Sequence, residues 1–373
     1  MNSQSKSFYF QKAKSEDSQE ILEILEENEF KGQISLTYTR RPNAYHSFQQ
    51  EGQDVELIIC RDNKSQRIIG FGAGVVKEAY VDGEKRRICY LFGLRMRKEY
   101  RKRARVVHRA YEFLREIFEK KEVDFYISTI LAENTYAQQL LEKKRKFMPT
   151  YEYIDDYQVY NIKTGLKYKK DSNLKLRLQQ ATKEDIPKII DFINQCGKKY
   201  QFYDVLEEND LLTGKLANLN YNDFYMLMNQ QNNELLACGA CWEQSSYKQY
   251  IVEGYSGLYK LMLPISMLFP LFGYPSLPKV GSRLDFFILS FWAIKDNDPD
   301  IFRSFINLIA NQITDYPYFS IGLSATNPLI EILKEKPHFL YQSKVYFVNW
   351  DKENRLKEEL KQDLPLYLEC GRL

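Results

Sequence analysis

Seven basic residues crowd one short loop of this chain. Residues 90–119 read YLFGLRMRKEYRKRARVVHRAYEFLREIFE, in which Arg95, Arg97, Lys98, Arg101, Lys102, Arg103 and Arg105 stand against one acid, Glu99. The apolar, aromatic run Tyr90–Leu94 predicts a buried or half-buried strand. Val107, Tyr111, Leu114 and Phe118 recur at helical spacing and predict a helix to about Glu119 with one buried face. A strand that turns through guanidinium groups into a helix start brings together unpaired amides, the positive end of the helix dipole and fixed charge. That combination holds phosphate.

The elements around the loop can be read from the same patterns. Residues 8–14 predict a first strand, and Ser15-Glu16-Asp17 starts a helix with Ile21, Leu22 and Leu25 on its inner face. Residues 31–54 are polar and irregular, with Tyr38, Tyr45 and Phe48 among them. Strands are expected at 55–60, 68–80 and 87–94, the last two joined by a Val81-Asp82-Gly83-Glu84 hairpin. Gly70, Gly72 and Gly74 fall inside the second of these, where glycine lets a substrate or a neighbouring strand approach closely. A strand at 125–131, a helix opened by Asn134 and running to about Phe147, and final strands at 151–162 complete the series.

The layout then repeats. FQKAKSEDSQEILEIL (10–25) lies over LQQATKEDIPKIIDFI (178–193), IIGFGA (68–73) over LLACGA (235–240), and LAENTYAQQLLEKK (131–144) over SATNPLIEILKEKP (324–337). This predicts two related α/β units joined by a polar linker, Thr164–Leu174. Chemically they differ: the second unit's counterpart of the basic loop, KDNDPDIF after the strand 284–294, carries Asp296, Asp298 and Asp300. Acids there repel a pyrophosphate, so the first unit is expected to hold any phosphate ligand.

The chain has 373 residues, 44% of them apolar, and a net charge of +3. That size suggests two domains, and the near-balanced charge argues against a general polyanion binder. Six cysteines are too few for a disulfide framework, and Cys238-x-x-Cys241 lies in a strand-like run without a second pair or a nearby His, so no metal is expected. The start, MNSQSKSFYF, lacks an apolar signal core, which makes the cytoplasm the expected location. Leu258–Leu277 is apolar but broken by Lys260, Pro264, Pro270, Gly273 and Pro275; it is expected to pack between the units rather than span a membrane.

The basic stretch resembles the GNAT (Gcn5-related N-acetyltransferase) superfamily, whose CoA loop has the core pattern Arg/Gln-x-x-Gly-x-Gly/Ala. Arg101, Ala104 and Val106 fall on it, and Leu94, Met96, Glu99, Tyr100 and Arg103 sit where the family places similar residues. Asn134, Ala137, Leu140 and Phe147 match the family's second signature, Asn-x-x-Ala-x-x-Leu-Tyr followed by Gly-Phe. Val106 and Leu141 depart from the patterns, the second standing where the family often has a catalytic Tyr. The resemblance implies a mixed α/β (α+β) fold of two tandem GNAT-like domains, each a mostly antiparallel sheet flanked by helices. They would be an N-terminal domain at 1–165 with the acyl-CoA site and a degenerate C-terminal domain at 174–350, followed by a tail at 351–373.

It implies acyl transfer from acetyl-CoA or another acyl-CoA to a small-molecule amine. The cofactor would lie against Leu94, Met96, Arg101, Lys102, Arg103, Ala104, Arg105, Val106 and Asn134. Tyr136 is the candidate acid and Glu78 the candidate base. The alternatives are a catalytically inactive GNAT-fold binding module, motivated by Val106 and Leu141, and a nucleic-acid binder using the basic stretch.

Overall fold

The computed structural model describes residues 7–27, 29–30, 33–101, 104–143, 148–169, 175–213, 216–272, 276–350, 358, 360 and 363–373. The first repeat contains β1 (Phe8–Lys12), α1 (Ser18–Glu26), β2 (Glu29–Phe30), β3 (Ile34–Thr39), α2 (Ala44–Gln49), β4 (Asp54–Asp62), β5 (Ile68–Val81) and β6 (Glu84–Met96). It continues with α3 (Ala104–Phe118), β7 (Phe125–Leu131), α4 (Thr135–Leu141) and β8 (Thr150–Lys163). The second contains β9 (Leu176–Gln180), α5 (Ile186–Gly197), β10 (Tyr203–Asp204), α6 (Glu208–Leu212), β11 (Phe224–Asn229), β12 (Leu235–Trp242) and β13 (Gln249–Tyr255). After it come α7 (Gly257–Met262), β14 (Phe287–Ile294), α8 (Pro299–Gln312), β15 (Tyr318–Ser324), α9 (Ile330–Lys334) and β16 (His338–Asn349).

The sequence repeat starts each unit in the same way. The Asp17 carboxylate accepts the Lys14 amide at 2.7 Å, and the Asp185 carboxylate accepts the Thr182 amide at 2.9 Å. Both close a capping box that turns a strand into a helix. The helices then bury one face: Ile21, Leu22, Ile24 and Leu25 on α1, and Ile186, Ile189, Ile190 and Ile193 on α5.

The two units share a single 13-stranded sheet, in the order β1-β4-β5-β6-β7-β16-β8-β15-β14-β12-β11-β9, with β10 added against β5. Each repeat lends its last strand to the other. β16 pairs antiparallel with β7 of the first repeat, β8 pairs antiparallel with β15 of the second, and β8 and β16 pair with each other along their whole lengths. A small second sheet, β13-β3-β2, also crosses the repeats, because β3 and β13 pair from Ile34↔Tyr255 to Thr39↔Gln249. Among the described strands of the main sheet, β6–β7 and β14–β15 run parallel, each joined by one long helix, α3 or α8.

Helix α3 buries Val106, Val107, Ala110, Tyr111, Leu114 and Phe118 against the first half-sheet. Gly74 admits it: a Cβ there would lie 2.5 Å from Phe118 Cζ, so this strand glycine serves a helix rather than a substrate or a strand. In the second half α8 buries Phe302, Phe305, Ile306 and Ile309.

Two segments lie differently from their expected places. Leu258, Leu261, Ile265, Met267 and Leu268 are exposed rather than packed between the units, because α7 and the 3-10 turns that follow it present them outward. The end of the chain, expected as a tail, is interior in its last eight residues: Leu366, Tyr367, Leu368 and Glu369 are all buried.

Candidate functional site

Strands β6 and β7 pair only over Ile88–Leu91 and Phe125–Ser128. At the parting point the Ser128 hydroxyl donates to the Leu91 carbonyl at 2.8 Å. Beyond it β6 keeps its bonds to β5, and β7 keeps its bonds to β16 through Thr129, Ile130 and Leu131. The facing edges are left as a wedge lined by backbone polar groups, which need partners.

A β-bulge shapes the wedge. The β5–β6 register shifts between Phe71 and Ala73, opposite Gly93 at φ +68°. Glycine takes that left-handed conformation without strain, and a Cβ there would also come within 3.1 Å of the Phe48 ring. The Arg97 amide bonds the Ile69 carbonyl across β5 at 2.9 Å, so strand alternation turns the Met96 and Leu94 amides toward the other edge, the wedge. The loop after β6 and the start of α4 after β7 flank its mouth. They are tied by the Tyr136 hydroxyl, which donates to the Arg101 carbonyl at 2.5 Å.

The expected site residues fall into four groups. Leu94, Met96, Arg101, Ala104, Arg105, Asn134 and Tyr136 cluster around the wedge and its mouth. Arg101 is half-buried, Arg105 and Tyr136 are exposed, and Ala104 opens α3. The Asn134 side chain caps α4 by accepting the Ala137 amide at 3.1 Å. Lys102 and Arg103 lie outside the described residues. Val106 and Leu141 point into the core: Val106 packs with Phe8, Cys60 and Ile69, and Leu141 packs in the cluster beneath α3. Glu78 is exposed and sits opposite Arg87. It is not brought to the wedge, since five strand residues, about 17 Å, separate Arg87 from Phe92. The basic loop is also less free than its sequence suggests. Arg97 is buried and donates to Glu23 at 2.9 Å, Glu27 at 3.0 Å and the Ile68 carbonyl at 2.8 Å.

A small apolar cavity lies between α3 and the sheet beside the bulge, lined by Phe10, Ile58, Leu94, Met96, Val107 and Ala110 among others. Next to the wedge, on the other side of the sheet, runs a buried polar network absent from the sequence expectations. The Glu51 carboxylate takes Arg40 Nη2 at 2.5 Å and Lys248 Nζ at 3.0 Å. Lys248 also donates to the Gly371 carbonyl at 3.0 Å, and Arg372 bridges the Glu51 carbonyl and the Asp204 carboxylate, which in turn holds Lys77 at 2.6 Å. Burial would raise the Glu51 pKa, but Lys248 and Arg40 outweigh it and hold the carboxyl below its ordinary value. Apart from Arg40 and Glu51, the partners stand 123 to 321 positions apart in sequence, which left no local spacing to read.

The second unit repeats the geometry and fills it. Strands β14 and β15 pair only at Phe287↔Phe319 and Ile288↔Ser320. A matching bulge, between Cys238 and Ala240, lies opposite Phe291 at φ +49°. Here the chain's own end enters. The Phe291 amide donates to Glu369 at 2.6 Å, the Gly371 amide donates to the other carboxylate oxygen at 3.0 Å, and the Tyr367 hydroxyl donates to Glu369 at 2.7 Å. The Tyr367 ring packs 5.1 Å from Trp292 and 4.1 Å from Tyr203. The start of α8 is closed as well, because the Asp298 carboxylate accepts the Asp300 and Ile301 amides at 2.8 and 3.0 Å. These are the amides a phosphate would need.

No protein-family model matches the sequence, and no curated protein matches it by sequence. Solved structures do match in shape. The chain is similar to Saccharomyces cerevisiae N-myristoyltransferase with bound myristoyl-CoA, at a TM-score of 0.59 and 10% identity over 98% of this chain and 86% of that one. It is also similar to a GCN5-related N-acetyltransferase from Anabaena variabilis, at a TM-score of 0.53 and 12% identity over 91% of this chain and 72% of that one. The chain therefore shares the fold of these structures, with a mixed, mostly antiparallel sheet flanked by helices.

Proposed function

We propose that the protein is a CoA-dependent N-acyltransferase whose acyl-CoA site is the β6–β7 wedge of the first unit. The observation that carries this is the contrast of the two wedges: one is filled by the chain's own Glu369, and among the described residues no side chain takes that place at the Leu94 and Met96 amides of the other. The likeness to structures described as acyltransferases, one with bound myristoyl-CoA, supports the class of donor.

In this reading the pantetheine arm lies along the wedge and bonds the free edges of β6 and β7. The Leu94 and Met96 amides meet the thioester end, where a fixed N–H stabilises the negative charge that develops on the carbonyl oxygen during attack by an amine. Arg101, Lys102, Arg103, Arg105 and the first amides of α3 hold the phosphates. Asn134 fixes α4, and Tyr136 ties α4 to the phosphate loop. The thioester supplies an activated acyl group, and the protein supplies its alignment with the amine. Acetyl-CoA or another acyl-CoA is the donor, with its thioester end beside the Leu94 and Met96 amides.

Release of free thiol from acetyl-CoA and octanoyl-CoA in the presence of a panel of primary amines tests this. Amine-dependent release supports the proposal. Binding of CoA without release from either donor would favour the inactive module instead.

A further inference from the structure

Arg95 is a cation without a carboxylate. Arg40, Arg61, Arg97 and Arg372 are buried or nearly so, and each meets an acid: Glu51, Asp17, Glu23 and Asp204 respectively. Arg95 is half-buried, donates to the Leu94 carbonyl at 3.3 Å, and pairs with no carboxylate among the described residues. Its surroundings add positive charge and hydroxyls, with Arg40, Arg101, Tyr38 and Tyr250 all within electrostatic reach. Burial pushes its pKa down, so the folded protein bears a cost for this charge that an anion would relieve.

Strand alternation sets the side to which Arg95 points. Leu94 and Met96 pack against the cluster beneath α3, whereas Phe71, which pairs with Arg95, packs with Phe48 and Leu57 on the other face. Arg95 therefore lies across the sheet from α3, toward the β3–β13 ribbon. From there an aromatic row leads into the second unit. Tyr38 and Tyr250 are 5.3 Å apart, Tyr250 and Phe286 6.1 Å, and Phe286 stacks on Tyr318 at 5.6 Å with an interplanar angle of 10°.

Building on the acyltransferase reading, we infer that the acceptor is an anionic amine, its carboxylate or phosphate seated on Arg95 and the rest of the molecule lying on the Tyr38–Tyr250–Phe286–Tyr318 row. The second unit thereby supplies half of the acceptor site, although its own wedge is filled. A charge-assisted hydrogen bond of this kind is worth about 1.5–3 kcal/mol, or roughly 10- to 100-fold in affinity.

Calorimetric titration of the full chain, with and without saturating CoA, tests this with two matched pairs of probes: phenylalanine against phenethylamine, and phosphoethanolamine against ethanolamine. The anionic member of one pair is expected to bind at least about tenfold more tightly than its partner, and the pair that shows the difference identifies carboxylate or phosphate. Arg95→Gln removes that preference and Arg95→Lys keeps part of it; both keep the wild-type CoA affinity, and Arg95→Gln melts no lower than the wild type. Equal binding within both pairs, or no saturable binding of either anionic probe at millimolar concentration, overturns the inference. So does loss of CoA binding in Arg95→Gln, which would assign the cation to the cofactor phosphates. Failure of CoA to bind the wild-type chain would sink the acyltransferase reading alone, because the probe titrations without CoA still decide whether Arg95 selects an anion.

Discussion

The two halves of this molecule are built on one plan and finished in opposite ways. In the first, β6 and β7 part beside Gly93, and the helix that follows begins behind a basic loop. In the second, β14 and β15 part beside Phe291, the helix start is capped by Asp298, and Glu369 occupies the bulge amide. The difference teaches that a parted strand pair leaves backbone groups in need of partners, and that a chain can meet the need with its own carboxylate or leave it to a ligand. Glu369 shows what such an amide donates to, namely a carboxylate oxygen.

Making the first wedge resemble the second should have the largest effect. Gly93→Phe introduces the residue found at the corresponding bulge, and CoA affinity is expected to fall by more than about 100-fold in a titration, a loss above roughly 2.7 kcal/mol. Retained affinity would show that the bulge is not part of the site.

Opening the second wedge comes next. Glu369→Ala leaves the buried Phe291 and Gly371 amides without their acceptor and is expected to cost about 2–4 kcal/mol in denaturant unfolding, with CoA affinity unchanged. The pH dependence sharpens this. Burial raises the Glu369 pKa above its ordinary value, so the folded state binds the proton more tightly than the unfolded one. The associated stability is present below the ordinary value of 4.5 and is lost as pH rises through the folded value. In Glu369→Gln that decline from pH 4.5 upward should flatten, as read from melting temperatures across the window. An unchanged slope would mean that Glu369 titrates normally. The smallest effect belongs to Asp298→Ala. Losing the cap of α8 should cost about 1 kcal/mol of stability and leave CoA affinity untouched.

Much of the first half was legible because its signals are local. The strand, basic loop and helix from Tyr90 to Glu119 follow from periodicity and charge, and the repeat follows from aligned segments such as those that close capping boxes at Asp17 and Asp185. The strand exchange was not legible. β8 and β16 are both long and rich in apolar and aromatic residues, and nothing in either sequence states whose sheet it completes. The plug was hidden for the same reason, since Glu369 stands 78 positions from the amide it binds. Acids in the second loop led to an expectation of charge repulsion toward phosphate, whereas the structure shows Asp298 occupying the helix amides themselves. Glu78 was attractive as a strand-end carboxylate, yet it stands at the end of β5 remote from the wedge, a distinction that needs the register.

The central claim is that the first wedge alone holds the cofactor. Titrating the protein with CoA tests it most directly, in the wild type and in Arg101→Glu. One saturable site that Arg101→Glu removes, with the melting temperature kept, is the result expected. Two sites per chain, or one site indifferent to Arg101, would contradict the account.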